Sequence, residues 1–183
     1  MTVNCPFECE YLREARRHER PADIDPKDAP NQDIRVTEQF VNEHELLITV
    51  IGSSLLGAAL DTPGAVDSDA RETLDALSRT FRTLQSGVYY ETIPNNPLAA
   101  NIYRLVQGAV AEFRQREQQQ LGVSRTRDAD VLGALVFLQR VELDRNNGRP
   151  RGRAFLDSLR AFYTNYPAPD APPPPSPSSL ILP

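Results

Sequence analysis

The most pointed chemistry in this sequence sits in one short run, Arg145-Asn146-Asn147-Gly148-Arg149-Pro150-Arg151-Gly152-Arg153. Guanidinium groups present planar forks of N–H donors, and Asn146 and Asn147 add amide donors, a set that suits phosphate or carboxylate. Pro150 is a residue that opens helices, because the N–H it lacks is one the first turn leaves unbonded anyway. A helix beginning there is partially positive at its start. Arg149, Arg151 and Arg153 therefore crowd the wrong end, at a cost of a few tenths to about 1 kcal/mol each. Arg145, at the end of the preceding helix, is favourably placed. An anion is expected nearby. It can be external, a small anion or nucleotide held by the arginines and the free N–H groups of the helix start. It can equally be internal, with Glu91, Glu142 or Asp144 tying two loops together.

If successive helices alternate in direction, the loop carrying Tyr89, Tyr90, Glu91, Asn95 and Asn96 falls at the same end as the arginines. Aromatic faces beside guanidinium groups would suit a nucleotide or a phosphorylated or acidic peptide. The candidate ligand-binding set is therefore Arg145, Asn146, Asn147, Arg149, Arg151, Arg153, Tyr89 and Tyr90.

Gly148-Arg149-Pro150, with the arginines after it, resembles the Gly-Arg-Pro core of AT-hook peptides, which would imply binding in the DNA minor groove. It departs from that pattern at Asn147, where a hook has arginine, and at Ala154-Phe155-Leu156, which continues at once as apolar helix. A net charge of −5 also sets the chain as a whole against nucleic acid and anionic lipid, so neither is an expected partner.

Cys5 and Cys9, with His18 as a third group, invite a metal or redox reading. On a helix over Pro6 to Arg20, Cys9 and His18 lie about 180° apart around the axis and about 13 Å apart along it, too far to share an ion. Cys5 and Cys9 do share a face with Leu12, as small packing residues would. No metal or cofactor is assigned. Two cysteines are too few for a secreted disulfide scaffold, and residues 1–20 carry charges where a signal peptide needs an apolar run. A cytoplasmic location is expected.

Signatures of catalysis are missing from the sequence. The histidines are His18 and His44, and neither has Glu three positions before it, which excludes the carboxylate-bridged di-iron bundle pattern. Gly52-Ser53-Ser54-Leu55-Leu56 ends in Leu where a nucleophile elbow needs Gly. No phosphate-binding glycine loop follows a strand. His44, between Glu43 and Glu45, reads as a solvated surface residue.

The elements that must position these groups are helical. Apolar residues at Val36, Phe40, Leu47, Ile51, Leu55 and Leu56 predict one long helix from Asp33 to Leu60, in which Ser53 and Gly57 would admit a close neighbour. Leu74, Leu77, Phe81, Leu84 and Val88 form a second stripe, opened by Asp69 and Glu72. Asn96-Pro97 starts a third helix that ends at Gly122. Thr126 opens a fourth, apolar almost all round from Val131 to Leu138, and Pro150 a fifth. The longest uncharged apolar stretch, about 15 residues, is too short to span a bilayer. From Pro167 onward proline, alanine and serine dominate, which favours an extended tail.

The expectation is an all-α antiparallel bundle of about five long helices plus a short N-terminal one. Residues 1–32 supply a charged helix and Pro-rich connector, 33–166 the core, and 167–183 the tail. The favoured function is a non-catalytic protein-interaction module with a protein partner or self-association. An anion- or nucleotide-binding domain at the arginine-rich end is the alternative, and a metal or redox site at Cys5 and Cys9 the third.

Overall fold

The computed structural model describes residues 29–165. The expected N-terminal helix with Cys5, Cys9 and His18 lies outside the described residues, as does the Pro-rich tail. Among the described residues there are six helices and no strand: α1 (Glu38–Glu43), α2 (Glu45–Asp61), α3 (Asp67–Gln85), α4 (Pro97–Leu121), α5 (Asp128–Arg145) and α6 (Ala154–Asn165). The all-helical bundle is as expected, and none of these helices is long and apolar enough to cross a membrane.

Local signals set most of the boundaries. The Asn96 side chain accepts from Leu98 N–H at 2.9 Å ahead of Pro97, and Gly122 ends α4 with φ of 76°. Carboxylates placed three residues after the cap take the cap N–H groups, Val66 to Asp69 at 2.8 Å and Arg127 to Asp130 at 2.9 Å. The long helix expected from Asp33 is instead two. Its start is Thr37, whose hydroxyl accepts from Phe40 N–H, and it breaks at His44 before α2 begins. Asp33 does not cap; it pairs with Arg82 at 2.7 Å. Residues 29–36 lie across α3 and α5, where Arg140 donates to the Asn31 and Ile34 carbonyls and Asn31 donates to Gln139.

The core is apolar and close-packed, with Ile51, Leu55, Leu74, Leu77, Ile102, Leu135 and Phe155 at zero exposure. Helix α5 is buried on nearly every side from Asp130 to Val136, matching its apolar sequence and its place at the centre. Glycine matters at two helix crossings: a Cβ at Gly52 would collide with the Tyr163 hydroxyl of α6, and one at Gly133 with the Phe40 ring of α1. The close approach expected at Gly57 is not made, since nothing lies near that position.

Tertiary contacts fix the direction of each helix. The most extensive packing is α3 against α5, followed by α2 against α4 and α3 against α4. Thr62, at the end of α2, accepts from Asn101 near the start of α4, and Asn96 donates to Asp69 at the start of α3. The N–H of Asp67 donates to the Gly152 carbonyl at 2.9 Å, so the α5–α6 loop sits at that same end. At the opposite end His44 meets Asp130, the starts of α2 and α5. Consequently α2 and α5 run one way and α3, α4 and α6 the other. The two closest pairs are antiparallel, while α3 and α4 are parallel.

This corrects the expected placement of loops. Residues 86–96 do not reverse the chain at one end; they carry it back along the whole of α3. At about 3.3 Å per residue that segment reaches roughly 35 Å, more than the ~28 Å of the 19-residue α3. Distance along the bundle, not loop length alone, decides whether a connection turns or returns.

Candidate functional site

The arginine-rich loop is built around buried carboxylates. Helix α6 begins at Ala154, not Pro150, and its first N–H groups already have an anion: Asp67 of α3 accepts from Phe155 N–H and Leu156 N–H, each at 3.1 Å. Burial pushes the Asp67 carboxyl above its ordinary pKa, against the lowering effect of those two bonds. Glu142, 2% exposed, accepts from Arg71 through Nε and Nη2 and from the Asn146 side chain. Asn146 in turn accepts from Gly148 N–H at 2.7 Å, and Asn147 from Arg149 N–H at 3.1 Å. Gly152 lies so close to Asn147 Oδ1 and the Arg149 carbonyl that a side chain there would force the loop apart.

The sequence-derived candidates therefore divide. Asn146 and Arg153 are buried, and the Asn146 amide is spent on the loop itself. Arg145 pairs with its neighbour Asp144 at 3.1 Å. Arg149 and Arg151 stand exposed at the tip. Tyr89 and Tyr90 are not brought to this end. The Tyr90 carbonyl accepts from the Thr83 hydroxyl at 2.9 Å, and Thr83 is separated from Asp67 by about 24 Å of helix. Glu91 likewise faces buried Tyr103, whose hydroxyl is pushed to about 12 chiefly by burial.

The strap that carries the tyrosines has a different character. Val88 N–H donates to the Thr83 carbonyl at 3.0 Å, Thr92 N–H to the Thr80 hydroxyl at 2.9 Å, and Asn95 N–H to Glu72 at 3.1 Å. From Thr83 to Glu72 the helix rises about 16 Å, and from Tyr90 to Asn95 an extended chain covers about the same distance. The strap is thus fully extended. In such a chain the N–H and C=O of alternate residues face opposite edges. The inner edge, Val88, Tyr90 and Thr92, is tied to α3. The outer edge, Tyr89, Glu91 and Ile93, makes no backbone hydrogen bond among the described residues. Four large side chains along the strap as a whole are exposed: Val88 57%, Tyr89 79%, Tyr90 66% and Ile93 59%.

A third feature, missed by the sequence reading, is a cleft of about 270 Å³ between the starts of α2 and α5 and the end of α4. His44, expected to be solvated, stacks on Phe40 with ring centroids 4.3 Å apart. Its Nδ1 donates to the Phe40 carbonyl at 3.0 Å, and Nε2 faces the Asp130 carboxylate at 3.6 Å. Glu117 accepts from Thr126 N–H and the Ser124 hydroxyl. His44, Asp130 and Glu117 are thus occupied with one another and with the loop, while Glu43 and Arg125 also line the cleft. Among the described residues no group of His, Cys, Asp and Glu is assembled to hold a metal ion.

Neither a family model, nor a curated protein, nor a solved structure matches this chain.

Proposed function

We propose that this chain is a non-catalytic, cytoplasmic protein-interaction module that presents the strap, residues 88–93, to an extended segment of a protein partner. One observation carries the reading. The strap is pre-ordered by bonds along one edge, while its other edge offers backbone donors and acceptors flanked by exposed Val88, Tyr89, Tyr90 and Ile93. Extended peptides add to such edges through main-chain hydrogen bonds, with side chains supplying selectivity. Pre-ordering removes part of the entropy cost of binding. Val, Tyr, Thr and Ile are also the residue types that best fit a paired, pleated surface.

The anion-binding alternative has less support, because Asp67 already occupies the helix start on which it depended. Selection of a random peptide library on the full chain tests the choice. The expected ligands are extended, rich in β-branched and aromatic residues, and lost from the Tyr89→Pro variant. No peptide ligand, together with heat stabilisation by phosphate or nucleotide that Arg149→Ala and Arg151→Ala abolish, would reverse the order of the two readings.

A further inference from the structure

We propose that Asn147-Gly148 is a self-modification site held in check by the fold: closure of the α5–α6 loop delays conversion of the Asn147 amide to a carboxylate, and opening of the loop permits it. This is the only Asn-Gly pair in the sequence. An asparagine amide can be attacked by the main-chain nitrogen of the next residue, and glycine resists least because it has no Cβ. A bond forms between the Gly148 nitrogen and Asn147 Cγ, the Cγ–Nδ2 bond breaks, and ammonia leaves with the proton that Gly148 gives up. Water then opens the succinimide ring at either carbonyl, leaving aspartate or isoaspartate. Water is the only other reactant. Either product sets a carboxylate within the run that carries Arg145, Arg149, Arg151 and Arg153.

The closed loop engages both partners in that step. Gly148 N–H donates to Asn146 Oδ1 at 2.7 Å, which holds the proton the nitrogen must lose. Asn147 Oδ1 accepts from Arg149 N–H at 3.1 Å, and a Cβ on Gly152 would lie only 2.5 Å from it. Ring closure needs the nitrogen aligned on Cγ at about 3–3.5 Å, so these bonds oppose the movement it requires. They are anchored in turn below the surface. Buried Asn146 donates to Glu142, which Arg71 also holds, and the Gly152 carbonyl accepts from Asp67 N–H at 2.9 Å. Residues 148–151 are nevertheless exposed, so water and base reach the pair while the loop is closed. Geometry, not exclusion of solvent, imposes the delay, and local opening lifts it.

Ageing the full chain at mildly alkaline pH, folded in buffer and unfolded in guanidinium chloride, tests this, with peptide mass spectrometry locating the exchange of NH2 for OH. Asn147 is expected to be the first asparagine altered in the unfolded chain, and to react at least about tenfold more slowly in the folded one. In buffer, Asn146→Ala removes the acceptor of Gly148 N–H and the donor to Glu142, and should speed the reaction several-fold; Arg151→Ala should leave it unchanged. Equal rates in the two solvents, another asparagine reacting first in the unfolded chain, or an Asn146→Ala chain that is folded yet no faster would overturn the proposal. Where Asn146→Ala does not fold, the ratio of rates in the natural chain decides.

Discussion

Two non-helical stretches of this protein treat their polar groups in opposite ways. Residues 146–153 turn inward at both ends: Asp67 accepts from the start of α6 and Glu142 from Asn146, and residues 148–151 between them are exposed. Residues 88, 90 and 92 are bonded to α3 along one edge, while the other edge, with Tyr89, Glu91 and Ile93, makes no backbone hydrogen bond among the described residues. Charge density marks the first as the obvious site, but a charged loop whose counter-ions are built in has little left for a ligand. Concentration of charge in sequence therefore does not by itself mark polar groups left open in the fold.

The comparison is broken most forcefully at the closed end. Replacing Asp67 by Ala leaves two buried N–H groups of α6 without an acceptor, and should cost about 3 kcal/mol in chemical denaturation. A loss under about 1 kcal/mol would mean that α6 is not held by that carboxylate. Gly52→Ala, which drives a methyl into Tyr163 and unseats the other end of α6, should cost about 2 kcal/mol.

How far these residues could be read from sequence depends on the range of the interaction. Caps are local, so Asn96-Pro97 and Gly122 were legible as written. The apolar run in α5 announced a central helix because only burial explains it. Asp67 was not legible as the counter-ion of α6, since the two meet across 88 positions of chain. Nor was the strap, for a long connection can reverse at one end or travel the length of a helix, and hydropathy does not distinguish these. That error carried Tyr89 and Tyr90 to the wrong end. His44 was misread for the same kind of reason: its neighbours Glu43 and Glu45 are polar, but its ring lies against Phe40 and Asp130.

Smaller effects sharpen the contrast. Thr80→Val removes the hydroxyl that receives the Thr92 N–H and meets Tyr103, and should cost about 1–2 kcal/mol. Unlike Asp67→Ala, it should also free the strap, seen as faster exchange of the Thr92 amide. The effect of pH is slighter. Burial raises the folded-state pKa of Asp67 above 3.8, so its ionised form is penalised only in the folded chain. Its contribution to stability therefore improves as pH falls from that raised value towards 3.8, and is constant on either side. Denaturation midpoints of the natural chain should rise relative to Asp67→Asn across that window; a flat difference would deny the shift. Least of all, Arg149→Ala combined with Arg151→Ala should change stability by less than about 0.5 kcal/mol, as surface positions with no buried role do.

One edge of the strap is hydrogen-bonded and the other is not, and amide hydrogen exchange of the dilute chain tests this residue by residue. Slow exchange is expected at Val88 and Thr92, which donate to α3, and fast exchange at Tyr89, Glu91 and Ile93. Uniform exchange along residues 88–93, whether fast or slow, would contradict the account.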